Sequence, residues 1–439
     1  MCTSQQDANQ QPPDPLPPCE LGQWKYDQRL SDTAPISELD RFAARGFVFT
    51  GVGGGNNPAD PGFTQIMTPE EIGSALQRLE DAYPLVKLDY SSHDSWLGQK
   101  TRLAYLQPPA KRTRSTPSYD TFFTGGFQGR ERGTPDSLIY FMADLLHARD
   151  TGEGLWYGDV SYTHKQVMQA LDKGVIFMPL ANPDGLTWDQ KFHNCYAGNV
   201  NLNTLAAGHT FKGAGVNLDR NFDIAWDYRK LFSPSVAAAV ASEDPADELY
   251  HGRKAFSEPE SRNVEDVFKK NSKLSRYVNV GGRGRLVGYP WASSPAQTCC
   301  DWNNWRNKDW DGKRGETGAG YAEYMDKDDL DVFRRVSGDV AERVREVRGG
   351  LFVAGDDAGL EMPASGTATD WAYSRHITKK KHSKVFSYQL QYGLVAEDAL
   401  AVVAKGGCQY YPTSEQYKNM LTEAAVGFME VLLADADKE

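Results

Sequence analysis

Among the adjacent opposite charges of this chain are two pairs, Arg130-Glu131 and Asp219-Arg220, each within a motif described below. Two carboxylates in one site can hold different pKa values and so divide acid and base work between them. Two guanidiniums can hold a ligand carboxylate, because a planar fork of donors matches its two oxygens. A plainer chemistry is open to each pair. Arg130 and Glu131 can form an ion pair at a helix start, where a carboxylate is favoured anyway, and Asp219 and Arg220 can neutralise one another. Arg283 and Arg285 either reach into such a site or sit on an exposed hairpin. Cys299-Cys300 reads as a loop pair rather than a nucleophile, since no histidine stands beside it to take a proton. Gly51-Val-Gly-Gly-Gly-Asn-Asn-Pro58 has the composition of a phosphate cradle. No Gly-Lys-Ser/Thr follows it and no strand-turn-helix frame surrounds it, so a flexible loop is expected.

The elements that must position these groups begin at Thr68-Pro-Glu-Glu71, where Thr68 caps, Pro69 fits the first helical position and Glu71 closes a capping box. Ile72, Leu76 and Leu79 make one apolar face, and Pro84 stops the helix. Strands are expected over 85–89, 101–107, 119–126, 276–281 and 383–391. Helices are expected over 134–147, 259–270, 328–348 and 414–436. The run from Gly174 to Ala181 is almost wholly apolar, as suits a central parallel strand buried on both faces. Alternating strands and helices predict an α/β fold: a mostly parallel mixed sheet covered by helices on both faces, with its ligand site at the carboxyl ends of the strands.

With 439 residues, of which 40 % are hydrophobic, the chain can bury a large core. The composition divides it into a disordered Gln- and Pro-rich tail over 1–20, an N-terminal extension over 21–67 and one domain over 68–439. A net charge of −11, with no basic cluster beyond Lys379 to Lys381, argues against nucleic acid as a partner. The six cysteines, at positions 2, 19, 195, 299, 300 and 408, form no regular framework, so reduced thiols are expected. No apolar run reaches the ~18 residues of a membrane span and no signal-peptide core precedes the domain, so no membrane association and a cytoplasmic location are expected. Nothing in the sequence fixes the oligomeric state.

Four ordered segments resemble the zinc metallocarboxypeptidases, the carboxypeptidase A/B-like family. They are Gly125-Gly-Phe-Gln-Gly-Arg-Glu131, Asn182-Pro-Asp-Gly185, Gly215-Val-Asn-Leu-Asp-Arg-Asn-Phe222 and Pro363-Ala-Ser-Gly-Thr-Ala-Thr-Asp-Trp-Ala-Tyr373. Tyr289-Pro-Trp291 and Val385-Phe-Ser-Tyr-Gln-Leu390 add support, and the resemblance runs from about Thr68 to the C-terminus. It implies a carboxypeptidase-like fold and a cleft that takes a peptide end. In the family a zinc held by two His and one Glu activates water. Here the resemblance puts Gln128 at the first His position, keeps Glu131, and puts Gly281 at the second His position. Gln389 falls at the catalytic Glu, Met362 at the Tyr that closes over substrate, and Asp219 at the Asn before Arg220.

These departures imply a divergent member that takes no zinc, a pseudoenzyme that binds a peptide end or amino-acid-like carboxylate. Arg220 would anchor the carboxylate, Arg130 would be a second donor, Arg283 would reach in, and Thr369 would lie at the base of the specificity pocket. An alternative is a repurposed zinc-independent enzyme of specialised metabolism. It would catalyse condensation or cyclisation of a small amino-acid-derived molecule, with Glu131 and Asp219 as acid and base. A third reading keeps zinc-dependent hydrolysis through substitute ligands such as Asp219 and a remote His.

Overall fold

A computed structural model describes residues 33–54, 63–108, 118–204, 215–316, 318 and 320–434. The expected tail over 1–20 lies outside them, with Cys2 and Cys19. Among the described residues eight strands make one twisted sheet, in the order Val86–Tyr90, Arg102–Leu106, Val175–Met178, Thr121–Thr124, Arg276–Gly281, Phe386–Tyr392, Arg285–Tyr289 and Val353–Asp356. The central pairings from Val175–Met178 through to Phe386–Tyr392 are parallel. Arg102–Leu106 and Arg285–Tyr289 join them antiparallel. The sheet is therefore mixed and mostly parallel.

Period-two alternation sorts each central strand onto two cores. Phe123, Phe177 and Val278 join the larger apolar cluster, with helices Pro69–Ala82, Thr134–Thr151, Lys327–Arg348 and Ser414–Leu433. Their neighbours Phe122, Ile176 and Tyr277 join the second cluster, with helix Pro259–Lys270 and Trp371 of helix Ala368–Thr378. Helices thus cover both faces. None of the described helices is long and apolar enough to cross a membrane.

Local signals set the helix starts. Thr68 Oγ1 accepts from Glu71 N at 3.1 Å, Pro69 occupies the first turn, and Tyr83 ends the helix. Glu71 also bonds Arg41 at 2.7 Å, and Ala34, Phe42, Phe49, Ile66 and Met67 lie in the larger core. The described part of the extension is thus built onto the domain. The described part of the glycine-rich loop, 51–54, folds onto the domain's own carboxylate: Gly53 N donates to Asp144 Oδ2 at 2.9 Å, and Gly51 and Gly54 face the same group, while 55–58 lie outside the described residues.

Two expectations are corrected. The segment from Arg283 to Arg285 is not a hairpin, because Phe386–Tyr392 lies between the strands on either side of it. Arg285 is buried against Glu423, at 2.7 Å. The thiols are not all reduced: Cys195 and Cys408, 213 residues apart, form a disulfide, which removes one ground for expecting a cytoplasmic location. Cys299 and Cys300 are free, their sulfurs 3.0 Å apart.

Candidate functional site

At the carboxyl end of the central strands lies a polar cavity of about 200 Å³. Its floor is made where the strand Thr121–Thr124 turns into helix Thr134–Thr151. Gly129 lets this turn press on the next motif, since a Cβ there would come within 2.2 Å of the Gly185 carbonyl oxygen. Asn182 ties the two together: its Oδ1 caps its own helix through Gly185 N, and its Nδ2 donates to the Phe127 carbonyl at 2.9 Å. Gln128, Arg130 and Glu131 are thereby held at the cavity.

The sheet supplies the rest of the floor. Its register sets Gln389 opposite Asn279 and Gln391 opposite Gly281. Asn279 Nδ2 donates to Gln389 Oε1 at 3.0 Å, and Arg283 N donates to Gln391 Oε1 at 3.2 Å. A Cβ on Gly281 would stand 2.1 Å from Gln391 Oε1. The glutamine side chain therefore fills the space that any side chain at 281 would enter.

Loops make the wall. Asn217 caps the short turn Leu218–Arg220 through Asp219 N, and Asp219 Oδ1 accepts from Ala368 N at 2.8 Å. Arg220 donates from Nε to Val240 O at 3.0 Å and from Nη1 to the Asp219 carbonyl at 2.8 Å. Its tie to Asp219 is thus through the main chain. Arg130 is not paired with Glu131 either. Its Nη1 meets Glu248 at 2.9 Å, its Nε donates to Gln128 Oε1 at 3.0 Å, and its plane lies 4.2 Å over the Tyr410 ring. Tyr410 and Gln409 reach the cavity from a segment held by the Cys195–Cys408 bridge and by Tyr411, which donates to Asp189 at 2.6 Å.

The electrostatics separate the two carboxylates by little. Burial pushes Glu131 up to about 7, against the pull of Arg130 and of the Gln128 and Gly282 N–H groups, and Asp219 adds to the rise. Burial likewise pushes Asp219 up to about 6, against Arg220 and the Ala368 N–H. Both acids are poised near neutrality.

Of the sequence-predicted residues, the cavity brings together Gln128, Arg130, Glu131, Asp219, Arg220, Arg283 and Gln389. Three do not line it: Met362, Thr369 and Gly281, which stands behind Gln391. Met362 is 66 % exposed, and its neighbour Glu361 lines the cavity instead. Thr369 is 1 % exposed inside helix Ala368–Thr378, its hydroxyl turned to Thr367, so it forms no pocket base. Sequence reasoning missed Gln391, Asn279, Glu248, Gln409 and Tyr410. Gln391 had a signal, since it stands two residues after Gln389 on the same strand face. No histidine lines the cavity, and among the described residues no group of three or more His, Cys, Asp or Glu is arranged so that it could hold a metal ion.

Comparison with known proteins identifies the family and the fold. The family profile described as zinc carboxypeptidase matches residues 72–419. A carboxypeptidase B of Helicoverpa zea is 24 % identical over 223 residues, 51 % of this chain and 45 % of that protein. A carboxypeptidase B of Bos taurus is 23 % identical over 318 residues, 71 % of this chain and 59 % of that protein. The alignments thus span about half the length of these relatives. Among solved structures, bovine thrombin-activatable fibrinolysis inhibitor in complex with tick carboxypeptidase inhibitor is similar with a TM-score of 0.58. The identity is 16 %, and the match covers 84 % of this chain and 96 % of that one. Carboxypeptidase A from Helicoverpa armigera gives 0.56 at 18 % identity, covering 86 % and 76 %.

Proposed function

The chain belongs to the zinc carboxypeptidase family, and from that premise we propose that it binds a peptide end or amino-acid-like carboxylate without zinc-dependent hydrolysis. One contact carries the reading: the Gln391 side chain occupies the space next to Gly281 into which a second metal-binding histidine would project. The remaining floor offers Gln128, Gln389 and Glu131. Zinc takes thiolate, imidazole or carboxylate ligands, and one carboxylate among three amides does not fit it. Arg220 keeps a role that needs no metal, since its Nη2 has no hydrogen bond among the described residues and can meet a ligand carboxylate. The disulfide favours an oxidising compartment for this protein.

The test combines metal analysis of protein purified without chelator with titration of short peptides. Little zinc and no chelator-sensitive release of C-terminal residues are expected. Arg220→Lys should weaken peptide binding by roughly 1.5 to 3 kcal/mol, the order for hydrogen bonds to charged groups. Stoichiometric zinc, or unchanged binding in the lysine variant, would overturn the proposal.

A second reading, a zinc-independent enzyme, is favoured by Glu131 and Asp219 sharing one cavity with pKa values of about 7 and about 6. Acid and base groups tuned near the working pH suit proton transfer. Under this reading Glu131→Gln or Asp219→Asn abolishes turnover while binding survives. Full cellular function in both variants would remove it.

A further inference from the structure

We propose that Gln128, Gln389 and Gln391 form a cage of hydrogen-bond donors for a neutral carbonyl oxygen, so that the ligand is a carboxylate bearing an oxo or acyl group. The inference rests on the carboxylate reading of Arg220 and adds a second point of recognition to it.

Each glutamine is oriented by what its own carbonyl accepts. Gln128 Oε1 accepts from Arg130 Nε at 3.0 Å, and Gln391 Oε1 accepts from Arg283 N at 3.2 Å. Both donors are N–H groups that can only donate, so the direction of these two amides is fixed. Gln389 Oε1 accepts from Asn279 Nδ2 at 3.0 Å, and Asn279 Oδ1 accepts in turn from the Thr124 hydroxyl at 3.0 Å. The NH₂ ends are therefore the unused ends. None of them donates to any described residue, and none is sealed away without a partner, while all three side chains line the same cavity. An amide donor facing a cavity gains by meeting an acceptor from the ligand.

The charges decide which acceptor. Glu131, Asp219, Glu248 and Glu361 also line the cavity, against Arg130, Arg220 and Arg283. Arg130 is already engaged by Glu248 and stacked on Tyr410. A second anion at the floor would lie beside Glu131, which burial already holds at about 7. A neutral carbonyl avoids that repulsion, and its oxygen has two lone pairs for donors arranged around it. Side-chain amides are established donors to carbonyl oxygens that develop charge. The floor thus offers the ligand donors where a metal centre would offer a cation.

The experiment compares 4-oxo-4-phenylbutanoate with 4-phenylbutanoate, two acids that differ by one carbonyl, by calorimetric titration of the full chain. The oxo acid should bind the wild type roughly 10-fold tighter, the yield of one or two neutral hydrogen bonds. In Gln391→Met and Gln128→Met that ratio should fall towards one, while binding of the saturated acid reports that the site is still folded. Equal affinity of the two acids for the wild type, or an unchanged ratio in both variants, overturns the cage alone. Failure of both acids to bind overturns the Arg220 reading together with it.

Discussion

The floor of the cavity is built from strand ends and the turn after Thr121–Thr124 and carries three glutamine amides beside one acid, whereas its wall is built from loops and carries most of the charges. On the floor, sheet register alone brings Gln391 to Gly281 and Gln389 to Asn279. In the wall, Arg130 finds Glu248 118 residues away, and Tyr410 is brought under Arg130 by a segment that a disulfide holds. The difference lies in what fixes position. Floor residues are placed by a hydrogen-bonded ladder that no single side chain can undo, so change there must be accommodated by steric exchange. Wall residues are placed by discrete ties, each of which can be cut.

Cutting the largest tie should affect only the wall. Replacing both Cys195 and Cys408 by serine is expected to cost roughly 2 to 4 kcal/mol, the usual contribution of a native bridge. Hydrogen exchange should quicken at 408–411 and leave 386–392 protected. Equal quickening in both segments would erase the distinction between floor and wall.

The floor is tested by intrusion. Gly281→His must push aside the flexible amide end of Gln391 and should lower stability in chemical denaturation by less than the roughly 1 to 3 kcal/mol of an overpacked core site. The combination Gln128→His, Gly281→His and Gln391→Gly removes the collision and is the one expected to gain zinc affinity by calorimetry. If Gly281→His with Gln128→His binds zinc while Gln391 is retained, the glutamine does not hold that space.

A further effect distinguishes the floor acid from the wall acid by pH. Glu131 and Asp219 are raised from 4.5 to about 7 and from 3.8 to about 6, in both cases first by burial. The folded state therefore binds their protons more tightly than the unfolded chain does. The resulting stability is fully present below the unfolded values and is lost as pH rises through the folded ones. Glu131→Gln should become progressively more stable than the wild type up to about pH 7, and Asp219→Asn only up to about pH 6. Denaturation midpoints from pH 4 to pH 8 measure this, and a gap that does not widen with pH contradicts the assignment.

Much of the scaffold was legible because its signals are local. The Thr68 capping box, Pro259 at a helix start and the apolar run ending at Ala181 each declare themselves within a few residues. The ordered motifs also brought Gln128, Glu131, Arg220 and Gln389 to one place. What was not legible depends on long-range geometry. Arg130 reads as the partner of its neighbour Glu131 until Glu248 arrives from another loop. Thr369 reads as a pocket residue in a line of letters, yet helix Ala368–Thr378 turns it inward. The glycine loop over 51–54 reads as open until the buried Asp144 fills it.

The Cys195–Cys408 bridge also carries a consequence for the order in which the chain is made. Its halves are separated by 213 residues, so on a ribosome adding 5 to 20 residues per second the first thiol precedes its partner by roughly 10 to 40 s. Cys299 and Cys300 are synthesised within that interval, and both end as free thiols. Oxidation that begins before translation reaches Cys408 can only join Cys195 to a thiol it does not pair with in the finished protein. Gln409 and Tyr410, which follow Cys408 directly, are among the last parts of the cavity to exist. A ribosome stalled short of them exposes a nascent chain with the sheet, the amide floor and most of the wall encoded and the Gln409–Tyr410 part of the wall still missing.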